Sequence, residues 1–265
     1  MRNRVALLLG FISLLALAGS AFGAPFSVGA TADVFLAGQP APLGIGLDQL
    51  GGTMPNEIGV AGGTTLTFSN VAIASDPAFL ACNVVKVNQS NYQVASPDGG
   101  PCGGVTTTNV TGLSTTTSGL SGISGISGPN TMFLVGVFLT DSAPSGADPA
   151  TLDFNSIGTG FASLSPEIGQ TFFIGDGLTG TGSGALQTFV VPSGATRLFL
   201  GFADANDGST WVGSNPFNGP ASHYGDNFGI VNGDMNVVLS NPEPATLGLF
   251  GAGLLAFGIL RRRKK

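Results

Sequence analysis

Charge is what this chain has least of. Only 9% of its 265 residues are Asp, Glu, Lys or Arg. Between residues 24 and 240 just two are basic, Lys86 and Arg197, against fourteen acidic ones, a formal charge of −12. A surface of that sign repels phosphate backbones and excludes a nucleic-acid partner. It suits hard cations, which take oxygen ligands, and it also serves solubility alone. Histidine occurs once, at His223. No H-E-x-x-H, C-x-x-C or G-x-S-x-G is present, so the common zinc, thiol-redox and serine-hydrolase arrangements have no footing. Nothing singles out one carboxylate pair among the acids for glycosidase chemistry. Cys82 and Cys102 are the only cysteines. Alone they cannot make a structural zinc site, which needs four ligands. Also missing is a long 3.6-residue apolar period inside the chain, which excludes a helical bundle.

What the chain does have is glycine, 43 residues of it, and 43% hydrophobic residues, enough to build a core. Its length allows one sizeable domain plus targeting segments. Residues 1–23 have the parts of a secretory signal peptide. Arg2 and Arg4 precede an apolar run, and Ala21-Phe22-Gly23 offers a cleavage site before Ala24. An uncleaved anchor helix is the other reading. In an exported compartment Cys82 and Cys102 are expected to form a disulfide, worth about 3 kcal/mol in the chain-entropy model, with two free thiols as the alternative.

The C-terminus has three parts in order. Pro242-Glu243-Pro244 stops any upstream helix. Residues 245–260 are uncharged and apolar, about 24 Å of helix against a hydrocarbon core of about 30 Å. Arg261, Arg262, Arg263, Lys264 and Lys265 follow, can snorkel to extend the reach, and fix the tail on the cytoplasmic side. Residues 241–265 resemble the PEP-CTERM sorting signal. That resemblance implies a transmembrane helix, a transient inner-membrane anchor, and an exosortase that cleaves the signal. It also implies a host that makes exopolysaccharide, and a final place at the cell surface or outside.

Residues 24–240 are expected to form an all-β ectodomain. Strand patterns occur at 64–73, 131–140, 170–175, 186–191, 197–203 and 235–240, separated by Gly, Pro, Asn, Asp and Ser. Many short strands with Gly-rich turns point to a jelly-roll-like β-sandwich. Residues 105–128, rich in Ser, Thr and Gly, are expected to be a flexible surface loop. Gly175, Gly177 and Gly180 match G-x-G-x-x-G, but no helix pattern follows, so the motif is expected to be a turn.

The stretch 190–239 carries the ligand chemistry. An apolar strand ends at Asp204, a long polar stretch follows, and Tyr224-Gly225-Asp226-Asn227-Phe228-Gly229 precedes a last strand. Adjacent side-chain oxygens at Asp226 and Asn227, in a Gly-flanked turn, can converge on calcium. This order resembles the small soluble calcium-dependent galactose-binding lectins of bacteria. The resemblance implies calcium held by Asp204, Asp226 and Asn227 through side chains and by His223 through its carbonyl, with Asp76 matching an earlier carbonyl and sugar hydroxyls completing the shell. Three things depart from the family. Eighteen residues, 205–222, separate Asp204 from His223; Asp226 stands where the family has Asn; and the sugar-orienting His and Gln have no counterpart.

The expected role is therefore a non-catalytic, calcium-dependent module that binds carbohydrate or matrix polysaccharide at the envelope. A structural surface-coat or biofilm-matrix protein is the alternative, and a secreted hydrolase comes third. The routing has a direct check. Intact-mass analysis of the mature protein should show both ends removed. A mature species that keeps Arg261 to Lys265 refutes cleavage.

Overall fold

The computed structural model describes residues 23–40, 52–77, 79–81, 93–100, 115–117, 119–204 and 224–238. Its strands are β1 (Ala24–Gly29), β2 (Asn56–Gly59), β3 (Thr65–Ile73), β4 (Leu80–Ala81), β5 (Gln93–Val94), β6 (Thr115–Thr116), β7 (Ile126–Gly128), β8 (Phe133–Leu139), β9 (Leu152–Asp153), β10 (Ser163–Leu164), β11 (Thr171–Phe173), β12 (Leu178–Gly180), β13 (Ser183–Leu186), β14 (Thr188–Val190), β15 (Arg197–Ala203) and β16 (Ile230–Val238). Among the described residues helix is confined to single turns, such as Phe154–Ile157 and the 3₁₀ turns Val34–Leu36 and Tyr224–Asp226. The fold is all-β.

One sheet runs β1-β16-β3-β14-β10 and the other β11-β8-β15-β2. β8 and β15 pair antiparallel along their whole lengths, from Arg197 opposite Leu139 to Ala203 opposite Phe133. Every residue of β8 is buried. A strand covered on both faces needs apolar side chains at every position, and Phe-Leu-Val-Gly-Val-Phe-Leu supplies them. Phe172 on β11 stacks on Phe138, ring centres 4.9 Å apart, and meets Phe189 of the other sheet at 5.5 Å. Phe133 meets Phe173 at 5.4 Å, and Phe173 in turn meets Phe154 at 5.7 Å. Such aromatic pairs add to the hydrophobic gain of burial. The two sheets thus contribute to a single core. β16 behaves differently. Val231, Gly233 and Met235 are buried and alternate with Asn232, Asp234 and Asn236, the pattern of a half-covered strand.

Several expectations are revised here. The last strand begins at Ile230, five residues before the expected 235. β1 and β2 had no sequence expectation. Part of the expected surface loop at 105–128 is built into the core. Ile123, Ser124 and Ile126 are fully buried, and β6, β7 and β9 form a small sheet. The reason is internal hydrogen bonding. Ser124 Oγ accepts from Thr171 N–H (2.9 Å), and Thr171 Oγ1 donates to the Ser124 carbonyl (2.8 Å), so this polar segment leaves water without losing partners. The G-x-G-x-x-G segment is a turn leading into β12. Gly175 and Gly177 have φ of 58° and 79°. Asp176 caps the turn, accepting from Leu178 N–H, and Asp98 accepts from Asp176 N–H at 2.7 Å.

The expected signal peptide at 1–23 lies outside the described residues apart from Gly23, as do Cys82, Cys102, residues 105–114 and the tail from 239. Among the described residues no helix is long and apolar enough to cross a membrane, and the expected span at 245–260 is not among them.

Gly201 on β15 marks a close crossing. A Cβ there would lie 2.8 Å from the Ala32 carbonyl oxygen and 3.0 Å from Val34 N. At Gly59 on β2 it would meet nothing within 4 Å. Gly201→Ala should destabilise the protein by about 1–3 kcal/mol, as overpacking does, and Gly59→Ala should be near neutral. Denaturant melts of both variants check this.

Candidate functional site

The site forms where the end of β15 meets the segment after β1 and the turn before β16. β15 delivers Asp204 immediately beyond its last residue, and the carboxylate is 4% exposed. The 3₁₀ turn Tyr224–Asp226 follows from Gly225 and short polar residues, and Asn227 N–H donates to the Tyr224 carbonyl at 3.2 Å to close it. Tyr224 is fully buried and donates its hydroxyl to the Phe202 carbonyl at 2.9 Å. That bond fastens the turn to the end of β15. Asn227, also 4% exposed, then points inward. Its Nδ2 donates to Asp204 Oδ2 at 3.0 Å and to the Ala30 carbonyl at 3.2 Å. Thr131 Oγ1 donates to Asp204 Oδ1 at 3.5 Å.

Two of the expected ligands, Asp204 and Asn227, are therefore in contact. Asp226 lies in the adjoining turn, and His223 lies outside the described residues. Asp76 sits in the turn after β3. As placed, the amide nitrogen of Asn227 faces Asp204, and its Oδ1 is buried with no protein partner. An orphaned buried amide oxygen beside a buried carboxylate is a donor set that a hard cation fits. Asp204 and Asn227 are the described side chains that would hold calcium there. The ion would then tie the end of β15 to the start of β16.

Sequence reasoning missed Asp33. It lies in the stretch after β1, where Asp33 bridges in parallel to Phe202 at the end of β15. Its side chain is fully buried. Oδ1 accepts from Phe35 N–H at 2.9 Å and caps the 3₁₀ turn, while Oδ2 is buried with no protein partner. Burial pushes the Asp33 carboxyl up to about 7, against the opposing pull of the Phe35 hydrogen bond. Burial likewise raises the Tyr224 hydroxyl well above its ordinary value, and the charges of Asp33 and Asp204 add to that rise. Both carboxylates therefore act on one buried tyrosine.

Arg197, the one basic side chain among the described residues, offers these acids little. Arg197 donates Nε to the Thr140 carbonyl and Nη2 to the Ser142 carbonyl, both at 2.8 Å, and lies 3.6 Å from Glu57. A second acidic pair, Asp98 and Asp176, serves the β12 turn, and burial raises Asp176, with the Asp98 charge adding to the rise. Separately, an open cleft of about 660 Å³ lies between β1, β2 and β16, lined by Asn56, Glu57, Asn70, Asn232 and Asp234 over Phe26. It shares no lining residue with the Asp204 cluster.

Residues 242–264 match the family described as the PEP-CTERM protein-sorting motif. No curated protein matches the chain, and no solved structure does. The motif supports an exported protein sorted at the membrane, with exosortase as its processing partner. The match is confined to the tail and concerns routing.

The Asp33 value gives a pH test. A carboxyl raised on folding keeps its proton in the native state where the unfolded chain has lost it. Its stabilising contribution is complete below pH about 4 and is lost as pH rises to about 7. At about 1.4 kcal/mol per pH unit, the loss reaches at most about 4 kcal/mol. In chelator, the stability of wild type minus that of Asp33→Asn should fall from pH 4 to pH 8. A flat difference refutes the shift. Denaturant melts across that range measure it.

Proposed function

We propose that this chain is an exported, exosortase-sorted envelope protein whose jelly-roll-like ectodomain holds calcium and binds matrix polysaccharide without catalysis. The observation that carries this reading is the contact between buried Asp204 and Asn227, whose Oδ1 has no protein partner. Calcium takes carboxylate, amide and carbonyl oxygens at about 2.3–2.6 Å, and extracellular modules bind it at about 10⁻⁴–10⁻³ M. The lectin resemblance adds Asp226 and the His223 carbonyl as further ligands, His223 lying outside the described residues. The jelly-roll reading draws support from the pairing of the first and last described strands, β1 with β16, in one sheet.

Burial of Asp204 and Asn227 favours an enclosed, structural ion over one that sugar hydroxyls share. The polysaccharide belongs instead at the open cleft. Its amides and carboxylates can hydrogen-bond sugar hydroxyls, and acidic side chains there favour neutral or amine-bearing chains over acidic ones. The disulfide between Cys82 and Cys102 belongs to the same reading of an oxidising destination.

The full chain, purified in detergent, should melt higher by about 1–2 kcal/mol of stabilisation at calcium near ten times Kd than in chelator. On an array of neutral polysaccharides it should bind, and Asn232→Ala, an exposed change on the cleft wall, should weaken that binding. Calcium stabilisation without binding to any glycan would favour the surface-coat alternative. No calcium effect on melting would overturn the cation reading.

A further inference from the structure

We propose that Asp33 is a direct ligand of the calcium site begun by Asp204 and Asn227, so that one ion joins three separate parts of the chain. This rests on the calcium reading above and goes beyond it, because no ligand pattern in the sequence includes Asp33.

The backbone places it there. Phe202 N–H donates to the Ala32 carbonyl at 2.9 Å, and Asp33 is the bridge partner of Phe202, two residues before Asp204, which follows directly on the end of β15. Positions two apart in extended chain share a face, so Asp204 follows on the face of Phe202, the bridge partner of Asp33. Two buried carboxylates so placed can share one ion, which takes each oxygen at about 2.3–2.6 Å. Burial raises the Tyr224 hydroxyl, and the charges of both acids add to that rise.

Two buried oxygens support the assignment independently. Asp33 Oδ2 and Asn227 Oδ1 both have no protein partner. In each side chain the other polar atom is already fixed, Asp33 Oδ1 by Phe35 N–H and Asn227 Nδ2 by Asp204 and Ala30. A buried carboxylate oxygen left unpaired is costly, and so is a buried amide oxygen. The one cation among the described residues of 24–240, Arg197, is held by Glu57 and two carbonyls. A divalent ion satisfies both orphaned oxygens and neutralises both carboxylates at once. The Ala30 carbonyl, already turned toward Asn227, brings a further hard oxygen into the cluster.

The test uses the full chain in detergent, with calcium titrated against melting temperature and terbium luminescence sensitised by Tyr224 as a second readout. Wild type should bind. Asp33→Asn keeps the acceptor for Phe35 N–H and removes the charge. It should bind calcium at least tenfold more weakly and lose most of the calcium-induced rise in melting temperature, while melting in chelator at or above wild type at pH 7.5. Asp33→Ser, which also keeps a capping oxygen, should behave alike and covers the case of a poorly folded first variant. If both variants bind calcium within twofold of wild type, Asp33 is not a ligand and the Asp204–Asn227 site stands. If wild type itself does not bind, the calcium reading and this assignment fall together.

Discussion

The antiparallel pairing of β8 with β15 is the constraint on which the rest of the structure depends. Seven consecutive residue pairs lock its register, and one side chain after another is buried on both faces. A slip of one residue would turn every side chain to the opposite face. Phe172 and Phe189 could then no longer bridge the sheets, and Gly201 would no longer lie under the crossing of residues 32–34. The same register fixes where β15 ends, and hence where Asp204 emerges. The candidate site is thus positioned by apolar packing, and its own polar contacts act on a frame already set.

Electrostatics imposes the second constraint. With few basic side chains in the domain, acids are accommodated by backbone N–H groups and amides. Asp176 and Asp98 take backbone donors in a turn, and Asp153 caps a helical turn through Asn155 N–H. Hydrogen bonds from Ser156 and Asn155 hold the exposed Asp153 carboxyl below its ordinary range. Asp33 has only one such donor, and its burial dominates. That contrast separates Asp176 and Asp153, each held by several donors, from Asp33, which caps its turn through one.

The central strands were legible in the sequence because continuous apolar runs such as 131–140 and 197–203 have few alternatives in an all-β chain. β1 was not, because Ala-Pro-Phe-Ser-Val-Gly follows directly on a targeting segment and carries turn residues. The first half of β16 was hidden because Asn232 and Gly233 read as turn-formers, although their alternation with Val231 and Asp234 suits a half-covered strand. Ser124 misled for a different reason. Composition marks its segment as loop, and only the matching donor and acceptor of Thr171 make its burial tolerable. Of the site, Asp204 and Asn227 were legible because they sit at a strand end and in a Gly-flanked turn. Asp33 was not, since its neighbourhood to Asp204 is created by a bridge between distant parts of the chain.

The pairing of β1 with β16 bears on the timing of export. Ala24 lies opposite Met235, so the sheet edge closes only after nearly the whole ectodomain has crossed the membrane. β16 ends at Val238 and Pro242 begins the sorting motif, leaving residues 239–241 between them. Three extended residues and their flanking bonds reach roughly 10–14 Å. The folded sheet and the sorting motif are thus neighbours along the chain, so whatever reads the motif meets it within that reach of β16.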